Sequence, residues 1–151
     1  MRIAAGGARV NVDAVQTALG TEHAALWTYG MVSAFLGDQA AAVAEGANAH
    51  RARRDTTERW LRDHAATPTP PAAAYLPPAP VSDGPSALAA LIAVEQDTCA
   101  AWRGVLERTD DPALRTSALE SLTTAAVRAT RWRKIAGSNP ASITMPGVAS
   151  G

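Results

Sequence analysis

Apolar residues recur at alternating spacings of three and four along four stretches of this chain, the period of helices that each bury one face. The first stripe reads Val12, Val15, Leu19, Glu22, Leu26, Tyr29, Ser33, Leu36, and the second Val43, Ala47, His50, Arg54, Thr57, Leu61. The third reads Leu88, Leu91, Glu95, Thr98, Trp102, Val105, and the fourth Leu114, Ala118, Ser121, Ala125, Arg128, Trp132, Ile135. They predict helices over about 12–36, 39–65, 85–108 and 111–136. Local punctuation agrees with these bounds. Asn11 and Asp38 can cap the first two helices, and Gly37 separates them. Pro85 and Asp111-Pro112 suit the first turns of the last two, and Gly137 closes the fourth. Residues 138–151 carry no helical period and are expected to form an irregular tail.

Seven of the ten prolines fall between Thr67 and Pro85, so 67–84 should be largely extended. The junctions between helices one and two, and three and four, are one or two residues long, which makes each pair an antiparallel hairpin. In polyproline form an arm of about 18 residues reaches ~55 Å, whereas a helix of about 26 residues is ~39 Å long. The arm can therefore climb the full height of the helices and start the third at the far end. Helices one and three should then be antiparallel, as should two and four. Tyr75 and Leu76, the large apolar pair of the arm, are its expected anchors. The expected fold is all-α: one domain, 1–151, a four-helix bundle with a long proline-rich crossover between helices two and three.

A chain of 151 residues can bury a sizeable core. Its 14 basic and 14 acidic side chains cancel, which argues against a nucleic-acid-binding stripe. No apolar run is long enough to span a bilayer, and Met1–Gly7 lacks the apolar stretch of a secretory leader. The lone Cys99 cannot form an internal disulfide, which fits a reducing cytoplasm. Alanine contributes 35 residues, and arginine outnumbers lysine 13 to one, a bias typical of GC-rich genomes and suggestive of an actinobacterial source.

The apolar stripes are interrupted near their midpoints by Glu22, by His50 with Arg54, by Glu95 and by Arg128. In a bundle these breaks meet in one central layer. Buried charge is unfavourable unless it is paired or bound to metal, so the layer needs an explanation. Either the carboxylates and His50 hold a metal, or Arg54 and Arg128 neutralise Glu22 and Glu95. Two carboxylates alone in a dry layer would force one to take up a proton, and two arginines remove that need. Arg128 is the better expected partner and Arg54 the second, with His50 a hydrogen-bonding neighbour.

Several short stretches carry a resemblance. They are Ala18-Leu19-Gly20-Thr21-Glu22-His23-Ala24-Ala25, His50-Arg51-Ala52-Arg53-Arg54-Asp55, Ala74-Tyr75, Val94-Glu95, Ala101-Trp102-Arg103 and Arg131-Trp132. In this order and spacing, over about 12–135, the chain resembles the ferritin-like superfamily. It is most similar to an alanine-rich actinobacterial ferritin-like domain family of unknown function. Metal-binding members take a glutamate from each of two helices and a Glu-x-x-His pair from each of the other two. On that pattern Glu22 and Glu95 match the single glutamates and His50 matches the helix-two histidine. Ala47 stands where its partner glutamate would be, and Ala125 and Arg128 replace the helix-four pair. An arginine cannot ligate a cation and repels one nearby.

The expected function is accordingly non-catalytic: a structural or interaction domain without cofactor, whose metal centre has decayed into an ion-pair cluster. The alternative is an iron or manganese oxidoreductase with an atypical centre at Glu22, His50 and Glu95. A further reading has the central arginines receive a small carboxylate or phosphate. A homodimer is expected, because Phe35, Ile92, Leu106 and one tryptophan per helix exceed what one narrow seam hides. His23 belongs to a flank, His64 suits a helix C-terminus, Cys99 reads as a small core residue, and the tryptophans read as core or subunit contacts. No phosphate-binding glycine loop, CxxC or HExxH occurs.

Overall fold

The structure, a computed structural model, describes residues 11–149. Readings of Met1–Gly7 and of the last two tail residues fall outside the described residues. Four helices and no strand are present among the described residues: α1 Val12–Val32, α2 Ala40–Asp63, α3 Gly84–Arg108 and α4 Pro112–Ile135. None of them is long and apolar enough to cross a membrane.

Three helix starts follow the sequence punctuation. Asn11 accepts a 2.9 Å bond from the Ala14 amide, and Asp111 accepts one of 2.7 Å from Leu114. Asp83 and Ser86 form a reciprocal capping box ahead of α3, with Pro85 in the first turn. The start of α2 differs from expectation. Asp38 does not cap it; α1 gives way to two tight 3-10 turns, Ser33–Phe35 and Gly37–Gln39, and Gln39 precedes α2 with no side-chain cap. This tightening replaces the last turn of the expected first helix and leaves Ser33 exposed. At the other end of α2, Ala65 takes a left-handed conformation at φ 56°, and the Ala66 amide bonds back to Leu61 O at 2.9 Å. Gly137, at φ 76°, ends α4 in the same manner.

Pair contacts set the helix directions. Glu22 meets Trp102 and Tyr29 meets Glu95, so α1 and α3 run antiparallel. Glu22 meets His50 while Tyr29 lies on Gly46, so α1 and α2 are antiparallel too. Glu95 with Arg128 and Cys99 with Leu122 make α3 and α4 antiparallel. The irregular segment between α2 and α3 runs along α1. Gln16 bonds Thr67 and Thr69, His23 bonds Thr69, and Trp27 packs edge-on against Tyr75 at 6.3 Å. Of the two expected anchors Tyr75 is half-buried, whereas Leu76 is 94% exposed. Polar bonds to α1 secure the segment where a second apolar anchor was expected.

Two apolar clusters fill the interior. One joins Ala25, Tyr29, Val32 and Leu36 of the α1 side to Val43, Leu88, Leu91, Val94 and Trp132. The other joins Val15, Ala18 and Leu19 to Leu61, Trp102, Val105, Leu114 and Ala118. Along every helix the gap between them holds the polar interruptions of the stripe. Ile92 and Leu106 pack partly buried against these clusters; Phe35 and Ile135 stay exposed.

Candidate functional site

The layer between the two clusters is built around His50. Its Nδ1 lies 2.6 Å from Glu22 Oε2 and its Nε2 lies 3.0 Å from Glu95 Oε1. Both carboxylates are 0% exposed. A neutral imidazole has one N–H, so donating to both carboxylates requires a proton on each nitrogen. Burial alone would lower the affinity of His50 for that second proton. The hydrogen bonds and negative charges of Glu22 and Glu95 outweigh burial and raise its pKa to about 9. Burial works to raise the carboxyl pKa of Glu95, but His50, Arg128 and the Tyr29 hydroxyl hold it below the usual range.

The remaining lone pairs are also engaged. Trp102 Nε1 donates to Glu22 Oε1 at 2.8 Å, and the Tyr29 hydroxyl donates to Glu95 Oε1 at 2.6 Å. Trp132 Nε1 in turn donates to the Tyr29 oxygen at 2.8 Å. Burial and the adjacent Glu95 charge push the Tyr29 hydroxyl far above its ordinary pKa, so it remains a donor. Arg128 reaches both oxygens of Glu95, at 3.4 Å, from a side chain 14% exposed. Two cations, the imidazolium of His50 and the guanidinium of Arg128, thus face the two carboxylates.

Arg54 does not join them. Its Nε and Nη2 bond Asp55 Oδ1 at 2.9 and 2.7 Å, and its side chain is 31% exposed. The long stem lets its head reach water, where a neighbouring acid binds it without desolvation. The arginine turned inward from α2 is Arg53. Its guanidinium carbon lies 6.0 Å from the Trp102 ring centroid, within the field of Glu22, and burial pulls its pKa down. The second cation on the carboxylates is therefore His50, and the expected Arg54 pair is corrected.

The donor set as arranged does not fit a resident metal. Each His50 nitrogen faces a carboxylate, Glu95 is shared with Tyr29 and Arg128, and Arg128 places positive charge beside any cation. Among the described residues no three His, Cys, Asp or Glu are grouped to hold a metal ion. Nor is there room for a central small ligand. The void bordered by Glu22, His50, Arg53, Ser121 and Arg128 measures about 10 Å³, less than a single water needs with comfort.

The sequence matches the family described as "Domain of unknown function (DUF4439)" over residues 14–150. The chain belongs to this family. It also resembles a solved structure, "Crystal structure of a conserved hypothetical protein, rv2844, from Mycobacterium tuberculosis", with a TM-score of 0.79 and 35% identity over 82% of this chain and 94% of that one. No curated protein matches the chain.

For this DUF4439 chain, residue-type reasoning overlooked three members of the layer. Tyr29, Trp102 and Trp132 read as core because their rings are large and on the seam, yet each places a polar atom on the carboxylate network. One signal was available: a buried Tyr or Trp needs a partner for its polar atom, and these three share the seam with two glutamates. Gly46 was a second signal. A Cβ there would come within 2.7 Å of the Tyr29 hydroxyl, so the bare backbone lets that ring cross α2. His23, assigned to a flank, is buried and bonds Thr69 O at 2.9 Å, tying the proline segment to α1. Cys99 is buried and inert, its thiol pushed up to about 11 chiefly by burial.

Proposed function

We propose that this chain is a ferritin-like four-helix bundle with a proline-rich crossover, whose ligand layer has become an internal ion-pair cluster. It serves as a non-catalytic structural or interaction domain of an actinobacterial cytoplasm, paired as a homodimer. One observation carries the reading: His50 is clasped between Glu22 and Glu95. A working metal layer leaves imidazole and carboxylate lone pairs free, whereas here both His50 nitrogens donate to carboxylates and the carboxylates accept from His50, Trp102, Tyr29 and Arg128. The antiparallel α1–α3 pairing and the segment lying along α1 support the bundle and its crossover. The exposed Phe35 and Leu119 offer apolar surface to a second copy.

Metal analysis of protein purified without chelator tests the central claim. The expected result is no stoichiometric iron or manganese. The paired change Ala125→Glu and Arg128→His, which rebuilds the helix-four ligand pair, is expected to create measurable binding of either metal. Stoichiometric iron or manganese in the parent, lost in Glu22→Ala, would overturn the ion-pair reading and favour the oxidoreductase alternative with a metal centre at Glu22, His50 and Glu95. Light scattering at high micromolar concentration should give twice the monomer mass.

A further inference from the structure

The tail 138–149 does not run free. It turns back over the outward faces of α3 and α4, where Gly147 sits so close to the Cys99 carbonyl that a Cβ would come within 2.7 Å of it. Ser138 N donates to Arg133 O at 2.9 Å, and Arg133 Nη1 donates to Ala141 O at 3.4 Å. Between tail and helices lies a groove of about 920 Å³. Its floor and rim are apolar, including Leu122, Ala126, Val127, Ile143, Met145 and Val148. Of these, Val127, Ile143, Met145 and Val148 are exposed. The volume falls in the range of small-molecule sites, which combine apolar walls with a few placed polar groups.

One side chain that lines this groove has a polar atom left unanswered. Arg133 is 8% exposed, and its Nη2 is buried without a hydrogen-bond partner, the only such side-chain nitrogen or oxygen among the described residues. A buried guanidinium nitrogen with no acceptor is unfavourable in apolar surroundings. Arg131 and Lys134 add positive charge to the lining, and Asp97 is its single acid among the described residues.

We propose that this groove binds a small amphipathic monocarboxylate, its head group bonded to the Arg133 guanidinium and its hydrocarbon part lying along the α3–α4 and tail walls. A carboxylate fits better than a phosphate dianion. Arg133 has already turned Nη1 to Ala141, and Asp97 on the same wall opposes a second negative charge. The site is separate from the His50 layer and independent of its reading.

Calorimetric titration of the whole chain with dodecanoate, dodecanol and dodecyl phosphate tests the proposal. Dodecanoate should bind saturably at one site, at least about tenfold more tightly than either of the other two. Arg133→Gln should abolish that preference. Val127→Asp changes an exposed position, so the fold is retained, and should weaken dodecanoate by about tenfold through the added charge. Absence of binding, equal affinity for acid and alcohol, or unchanged binding in Val127→Asp would overturn the site. A preference for dodecyl phosphate would overturn the carboxylate assignment.

Discussion

Protonation of His50 decides how Glu22 and Glu95 share one dry layer. With its pKa raised from 6.5 to about 9, its contribution to stability is complete below about pH 6.5 and is lost as pH climbs through 9. Glu95, held below its ordinary 4.5, acts in the opposite sense: its contribution is present above that value and is lost on acidification. Urea unfolding should therefore show a plateau near pH 5–6.5 and a decline on the order of 3 kcal/mol by about pH 9–10. The imidazole carbon shifts of His50 should titrate near 9, and a midpoint near 6.5 would refute the doubly bonded imidazolium. Substitutions should follow the same hierarchy. His50→Gln leaves two carboxylates facing each other and should destabilise by about 3–5 kcal/mol. Arg128→Ala removes only the longer 3.4 Å contacts of a side chain that water can reach, and should cost about 1–2 kcal/mol. Arg54→Ala, at a surface pair, should stay within about 0.5 kcal/mol. The interruptions themselves were legible in the sequence, since charge on an apolar stripe stands out. The identity of the second cation was not, because Arg53 and Arg54 leave α2 on either side of His50 and differ only in what surrounds their heads.

Helix ends and close helix contacts carry the next set of expectations. Ala65 adopts φ 56° after α2, a conformation that strains any residue with a Cβ. Ala65→Gly should relieve that strain and raise stability by up to about 1 kcal/mol, after allowance for the looser unfolded chain. Gly46→Ala should do the reverse of what helix propensity suggests. Alanine favours the helix by about 1 kcal/mol, but its methyl would strike the Tyr29 ring and displace the hydroxyl from Glu95. A net loss in melting temperature, accompanied by a shift in tyrosine absorbance, is the expected outcome. The starts of α1, α3 and α4 could be read from Asn11, Pro85 and Asp111-Pro112 because first-turn chemistry is local, whereas the Asp83–Ser86 capping box ahead of α3 was seen only in the structure. The α1–α2 turn could not, because two successive 3-10 turns flank the buried Leu36, and Gln39 rather than Asp38 precedes α2.

The chain as a whole is held by contacts between segments far apart in sequence, and the proline segment is the clearest case. Gln16 accepts from both the Thr69 amide and hydroxyl and donates to Thr67 O. Gln16→Ala should speed proteolytic cleavage of the 67–76 segment several-fold, while Leu76→Ala, at a side chain 94% exposed, should leave the rate and the melting temperature unchanged. The sequence by itself determined the four α-helices, the face each helix buries and the charged interruptions near their middles. Those features depend on spacing along a single helix and on nearest-neighbour capping. The tertiary structure alone decided that His50 bridges the two glutamates, that Arg54 turns to Asp55, and that the tail folds over α3 and α4 with Arg133 beneath it. Periodicity gives a residue's angle about its own helix axis, but a long polar side chain ends where acceptors from other helices lie, and those are set only when the helices have packed.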